Sequence, residues 1–248
     1  MKRFLYLMLP SLLLLSEFGT TTYEVRYKLG SLNMRVVTVD ISWEKSKWNG
    51  EPAFHSVAVV QTVPFFRMFL GSNYYAESFY RKSDLAPLYF DNPFESGGRK
   101  SRRFEYYYHP EEETIESVSF NAPDKTEIAT YTYDGKTMDY LSLLHYLRSL
   151  DLSQAKDPMQ MHILVSGKSY PAELQYLGPD PDKFPDKPSD KIRIHLTEHG
   201  LMDNGSGNII YIWRASSPDH TLLALETTLN SGSLRAQILN PDEPETDD

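Results

Sequence analysis

Residues Met138–Leu152 read MDYLSLLHYLRSLDL, and this stretch decides the fold. Tyr140, Leu143, Leu144, Leu147 and Leu150 recur at helical spacing and form a broad apolar arc. Asp139 stands where an N-cap is needed, because its carboxylate can accept from backbone N–H groups one turn on. The spacing predicts one amphipathic helix over residues 139–150. Ser142 and Ser149 fall on the opposite side, with His145 at the margin. The arc is wider than a surface helix requires, so burial on more than one side is expected. Arg148 falls inside the arc, where it either snorkels or pairs with a carboxylate of the sheet; pairing is the favoured reading.

On both sides of this helix the chain alternates as β-strand does. Thr22–Tyr27 places Tyr23, Val25 and Tyr27 on one face, and Gly30 breaks it. Met34–Trp43 and Phe54–Val63 flank Asn49-Gly50, a strong hairpin signal. Leu85–Phe90 is a short strand, closed by Asp91-Asn92-Pro93 as a turn, and Phe104–Tyr108, Thr114–Phe120 and Thr126–Tyr133 follow. After the helix, Gln160–Val165, Ser169–Leu177, Lys191–Leu196, Asn208–Arg214, Thr221–Leu229 and Ser233–Leu239 read as six more strands. Gly178–Asp190 is rich in Pro and Asp and is expected to be a mobile, exposed loop. The fold expected is therefore mainly β: a large curved antiparallel sheet, a half-barrel or open barrel, with the helix against its concave face.

Pro64–Tyr80 is the most apolar internal region and admits two readings. It forms buried core strands around a turn, or Phe65, Phe66, Phe69, Tyr74 and Tyr75 make an exposed aromatic lip around an apolar ligand cavity.

Of the chain's 248 residues, an excess of acidic over basic groups leaves a formal net charge of −9, which argues against nucleic-acid binding. The basic and aromatic stretch Arg99–His109 is read as a plain strand. With no cysteine, disulfides, thiolate metal sites, a cysteine nucleophile and a lipid-bearing cysteine are excluded. Lys2 and Arg3 precede an apolar run, Phe4–Leu15, shorter than the roughly 20 residues that span a bilayer. This reads as an export signal over residues 1–19, either cleaved near Gly19–Thr22 or retained as an anchor, leaving residues 20–239 as a single β domain and 240–248 as a disordered acidic tail. No later stretch is long and apolar enough to make the mature chain an integral membrane protein.

His195-Leu196-Thr197-Glu198-His199 fits the H-x-x-E-H pattern of zinc peptidases, whose ligands must lie one helical turn apart. Here Lys191–Leu196 alternates as a strand and Gly200 follows. Two histidines four residues apart along a strand stand roughly 13 Å apart, beyond shared ligation. No nucleophile elbow, phosphate loop or dinucleotide fingerprint occurs, and we read no catalytic residue, cofactor or metal site.

Asp139-Tyr140-Leu141-Ser142 followed by Tyr146-Leu147-Arg148 resembles the Asp-Pro-Leu-Ser … Tyr-Leu-Arg segment of the bacterial domain-of-unknown-function family 3108. Tyr23–Gly30 is similar to that family's first strand and glycine turn, and Ile210–Trp213 with Gly232–Ala236 to its closing strands. Tyr140 replaces the proline usual at the helix start. The resemblance implies an exported protein of Gram-negative bacteria with no established activity, periplasmic or associated with the outer envelope. By fold analogy it points to the curved-sheet lipoprotein carriers. The expected function is a non-enzymatic carrier or binding module for a lipid, another apolar ligand or an envelope protein. A scaffolding protein is the alternative, and a zinc hydrolase the remote one. Asp139, Ser142, Tyr146 and Arg148 are expected to act as structural pins.

Overall fold

Alternation makes strands, and their connections decide how those strands are ordered. The computed structural model describes residues 18–70, 73–94, 102–109, 111–121, 126–132, 136–152, 157–165, 168–197 and 208–239. The first half runs β1 (Phe18–Leu29), β2 (Leu32–Trp48), β3 (Glu51–Thr62), a turn Pro64–Phe66 into α1 (Arg67–Leu70), β4 (Asn73–Arg81), β5 (Pro87–Phe94), β6 (Arg102–His109), β7 (Thr114–Asn121) and β8 (Thr126–Thr132). The second runs β9 (Thr137–Asp139), α2 (Tyr140–Ser149), β10 (Met159–Val165), β11 (Lys168–Pro179), β12 (Ser189–Leu196), β13 (Ile209–Ala215), β14 (Leu222–Leu229) and β15 (Gly232–Ile238).

All 15 strands belong to one open, curved sheet, in the order β8-β7-β6-β5-β4-β3-β2-β1-β15-β14-β13-β12-β11-β10-β9. The two halves are meanders that meet at a central seam, where Tyr23 lies opposite Ile238 and Val25 opposite Ala236. Neighbours are antiparallel except β9 and β10, which run parallel because α2 makes the crossover between them. The sheet does not close into a barrel; β8 and β9 are its edges. Register shifts at Val25/Arg26, Phe79/Tyr80, Tyr176/Gly178 and Trp213/Arg214 insert the extra residues that bend and twist a sheet. The Asn49-Gly50 hairpin forms as expected: both residues take positive φ, 49° and 90°, between Trp48 and its partner Glu51.

Helix α2 lies against the concave face and joins two core clusters. Leu143, Tyr146 and Leu147 pack with Met161, Ile163, Leu174, Ile192, Ile194 and Leu196. Leu141 packs on the other side with Ala58, Ala76, Phe90 and Tyr106.

Several expectations change. Ser142, set opposite the apolar arc, and His145, at its margin, are both buried, because the helix is enclosed on nearly every side. Arg148 has no carboxylate partner among the described residues: its guanidinium stacks 4.1 Å above the Trp43 ring and donates to the Asp219 carbonyl at 3.2 Å. Pro64–Tyr80 is not two strands around a turn, since Pro64 opens a helical turn before β4. Asp91-Asn92-Pro93 belongs to β5 rather than ending it. The Gly178–Asp190 segment is fastened: the Asp180 carboxylate accepts from Trp213 Nε1 at 2.9 Å, and Lys183 pairs with Glu226 at 2.8 Å. Gly19, set aside with the leader-like segment, is part of β1. Residues 1–17 of that segment and the acidic tail lie outside the described residues.

Candidate functional site

The site is built around a helix tied down at both ends. At its start Asp139 Oδ1 accepts from the backbone N–H groups of Leu141 and Ser142, each at 2.9 Å. Its Oδ2 accepts from Ser142 Oγ and from Ser78 Oγ of β4, again at 2.9 Å. Asp139 thus caps the helix and binds it to the first half of the sheet. Burial, outweighing these donors, raises its carboxyl pKa to about 6. At the other end Arg214 of β13 donates from Nη1 to the carbonyls of Leu150 at 2.7 Å and Leu147 at 3.0 Å. A guanidinium at the carbonyl end of a helix fills orphan acceptors and complements the dipole. One end of α2 is held by each half of the sheet.

Between these anchors the helix and the central seam leave a partly open apolar cavity of about 250 Å³. Its walls follow from register. Tyr23 and Val39 are partners, as are Val25 and Ala236, Ile41 and Ala58, and Val60 and Tyr74, so these side chains share one face. Tyr140, Leu141 and Leu144 close it from the helix, and Leu222 and Leu225 from β14. Apart from Tyr23, the cavity-lining residues at the seam are alanines, valines and an isoleucine. Ala58, Val39 and Ile41 meet the Leu141 cluster, but side chains this short leave a hollow beside it.

The cavity becomes polar toward the C-terminal end of α2. A smaller space of about 20 Å³ is lined by Thr21, Trp43, Ser56, His145 and Arg148, and it shares Tyr23, Ile41, Leu141, Leu144 and Leu222 with the apolar cavity. His145 is packed against the rings of Phe54 and Tyr80, at 4.8 and 5.0 Å. Burial, with a smaller push from the Arg148 charge, lowers its pKa to about 4, so it is neutral at neutral pH. Burial raises the Tyr23 phenol to about 12, and its hydroxyl donates to the Leu222 carbonyl at 3.0 Å. β1 can cross the Trp43 indole only because Gly19 lacks a Cβ, which would stand 2.2 Å from Trp43 Cζ2.

Of the five aromatic residues singled out in the sequence, Tyr74 lines the cavity. Phe65, on the Pro64–Phe66 turn, is 71% exposed and Tyr75, on β4, 46% exposed. Phe66 is half-buried and meets Phe65 edge to face, and the side chain of Phe69 lies outside the described residues. Of the four residues expected to act as structural pins, Asp139 caps α2 and Ser142, Tyr146 and Arg148 lie within it, with Lys136 above the Tyr146 ring. Sequence reasoning missed Arg214, Trp43 and the seam alanines. Trp43 had only a strand alternation to mark it, and Arg214 nothing local at all.

His195 lies in β12, as its alternation predicts, with Glu173 Oε2 3.9 Å from Nδ1. Glu198 and His199 lie outside the described residues. Among the described residues no group of three or more His, Asp or Glu side chains could hold a metal ion, and no helix is long and apolar enough to cross a membrane. Within the basic-aromatic stretch, Arg103 is bound to Asp91 and Glu105, at 2.8 and 2.7 Å.

The fold has a solved counterpart. A crystallised β-barrel-like protein of domain-of-unknown-function family DUF1849 from Brucella abortus superposes with a TM-score of 0.54, over 89% of this chain and 95% of that one. At 10% identity this is a likeness of fold alone. No curated protein matches the chain. A family profile does match, over residues 22–238, which takes in both halves of the sheet and the helix between them: the chain belongs to the family described as protein of unknown function, DUF3108.

Proposed function

We propose that this protein is a non-enzymatic carrier or binding module for an apolar ligand, which occupies the cavity between α2 and the seam. The observation that carries this reading is the hollow itself. A void of about 250 Å³ approaches the roughly 300 Å³ at which small-molecule sites begin. An empty apolar space forfeits packing contacts that a longer side chain at Ala58 or Ala236 would restore. Exposed Phe65 and Met68, on the connection between cavity-lining Val60 and Tyr74, give an apolar ligand a surface to cross. The leader-like start of the chain supports a place in the cell envelope.

Native mass spectrometry of the purified mature chain, with organic extraction of what it carries, tests the reading. Co-purifying lipid or another apolar compound is expected. A chain that carries none and does not take up a neutral naphthylamine dye would refute it.

A scaffolding role is the second reading. Edge strand β8 is exposed at nearly every residue, including Ile128 at 65%, and offers unpaired backbone groups to another strand. In-cell crosslinking from positions in β8 would capture a partner if that edge is used.

A further inference from the structure

The polar end of the cavity is lined by three residues that each carry a buried nitrogen without a partner: the indole and guanidinium nitrogens are N–H donors, and the neutral imidazole donates in its Nε2–H tautomer. Trp43 Nε1, His145 Nε2 and Arg148 Nε are each shielded from solvent, and none has a hydrogen-bond partner among the described residues. The three residues are 7%, 4% and 9% exposed, and all three line the same small space. Buried polar groups are almost always paired, so three unpartnered nitrogens on residues that line one hollow call for an acceptor.

Charge narrows the choice. Arg148 remains a cation, since a guanidinium does not deprotonate in proteins. No carboxylate lies within salt-bridge distance of it among the described residues. Asp219 offers it a backbone carbonyl at 3.2 Å and turns its own carboxylate to the hydroxyls of Ser217 and Thr221. The Trp43 ring beneath the guanidinium softens the cost of burying the charge but does not neutralise it. Asp219 acts on Arg148 through space without a direct ion pair, so a buried cation beside two ring nitrogens, with no carboxylate in contact among the described residues, has the recognition chemistry for an anion. The space of about 20 Å³ suits a small head. A carboxylate brings acceptor sites for three donors, and the shared wall of Tyr23, Ile41 and Leu144 leads directly into the apolar cavity.

We infer that the Trp43–His145–Arg148 nook binds the carboxylate of a single-chain fatty acid whose tail fills the adjoining apolar cavity. This rests on the cavity being a ligand site, and it adds what that ligand's head must be. With His145 neutral, Arg148 supplies the charge, while Trp43 and His145 supply direction.

Isothermal titration of the full chain with decanoate and with 1-decanol, at about pH 8, separates the two claims. Decanoate is expected to bind about 10–100-fold more tightly than the alcohol, as a charge-assisted hydrogen bond warrants. Arg148→Gln should bring the two ligands within about threefold of each other, with decanol unaffected. Should Arg148→Gln fail to fold by circular dichroism, Trp43→Phe keeps the ring and deletes one donor. It should cost decanoate several-fold and decanol nothing. Equal affinities in the wild type, or an undiminished preference for decanoate in the variants, overturn the carboxylate site and leave the apolar cavity standing. If neither ligand binds, the cavity reading falls and the carboxylate site with it.

Discussion

Helix α2 meets two kinds of floor. Toward β10–β13 it rests on Met161, Ile163, Leu174, Ile192 and Ile194, all nearly inaccessible to solvent, and the interface is filled. Toward the seam it faces Val25, Val39, Ala58 and Ala236, and the interface is hollow. The helix itself is leucine-rich on both sides: Leu143 and Leu147 go to the filled side, while Leu141 and Leu144 line the cavity and also touch the flanking clusters. Whether the space under a helix is packed or empty is therefore set by side-chain length on the sheet.

Truncating the fully buried Leu147 and the half-buried Leu144 probes this difference most strongly. Leu147→Ala removes a fully buried side chain from the filled side and should cost about 4 kcal/mol in urea unfolding. Leu144→Ala borders a space that already exists and should cost about 1–2 kcal/mol. Equal losses would show that the hollow is not there.

The anchors come next. Asp139→Ala removes the cap and orphans the Ser78 and Ser142 hydroxyls, for a loss of about 3 kcal/mol by the same measurement. Asp139→Asn should lose less.

Filling reverses the comparison. Ala172→Leu on the filled side overpacks and should cost about 2 kcal/mol, whereas Ala236→Leu enters the cavity and should change stability by less than about 1 kcal/mol. The second variant should also weaken uptake of the naphthylamine dye, read by fluorescence titration. Normal uptake would place the ligand elsewhere.

The last test is one of pH. The Asp139 carboxyl titrates near 6 in the folded chain against 3.8 ordinarily, so between those values the folded state holds more protons than the unfolded. Its contribution is complete below about pH 4 and is lost as pH rises through 6, at no more than about 1.4 kcal/mol per pH unit. Urea unfolding of wild type and Asp139→Asn at several pH values isolates it. The difference between them should shift in that window, and a difference that does not vary would argue against the raised pKa.

How legible was this in the sequence? The helix, its Asp139 cap and the Asn49-Gly50 hairpin each depend on residues within one turn or one hairpin of each other, and all are visible in the chain. The open curved sheet follows from strand count with a lone helix. What stayed hidden is set across distance. Arg214 caps a helix that ends some sixty residues earlier. Arg148 finds Trp43 instead of a carboxylate. Phe65 and Phe66 have the composition of a strand, but Pro64 starts a helical turn. The hollow depends on Ala58, Ala236 and Val39, which come together only when the two meanders meet.

The pairing of Tyr23 with Ile238 also fixes an order of events in folding. Each meander is a run of local hairpins and can form early. The seam brings the two ends of the chain together and is the contact of highest contact order, hence slow. Because β15 provides part of the cavity wall, the cavity does not exist until the last strand docks. A ligand held there favours the finished chain over every shorter or partly assembled one.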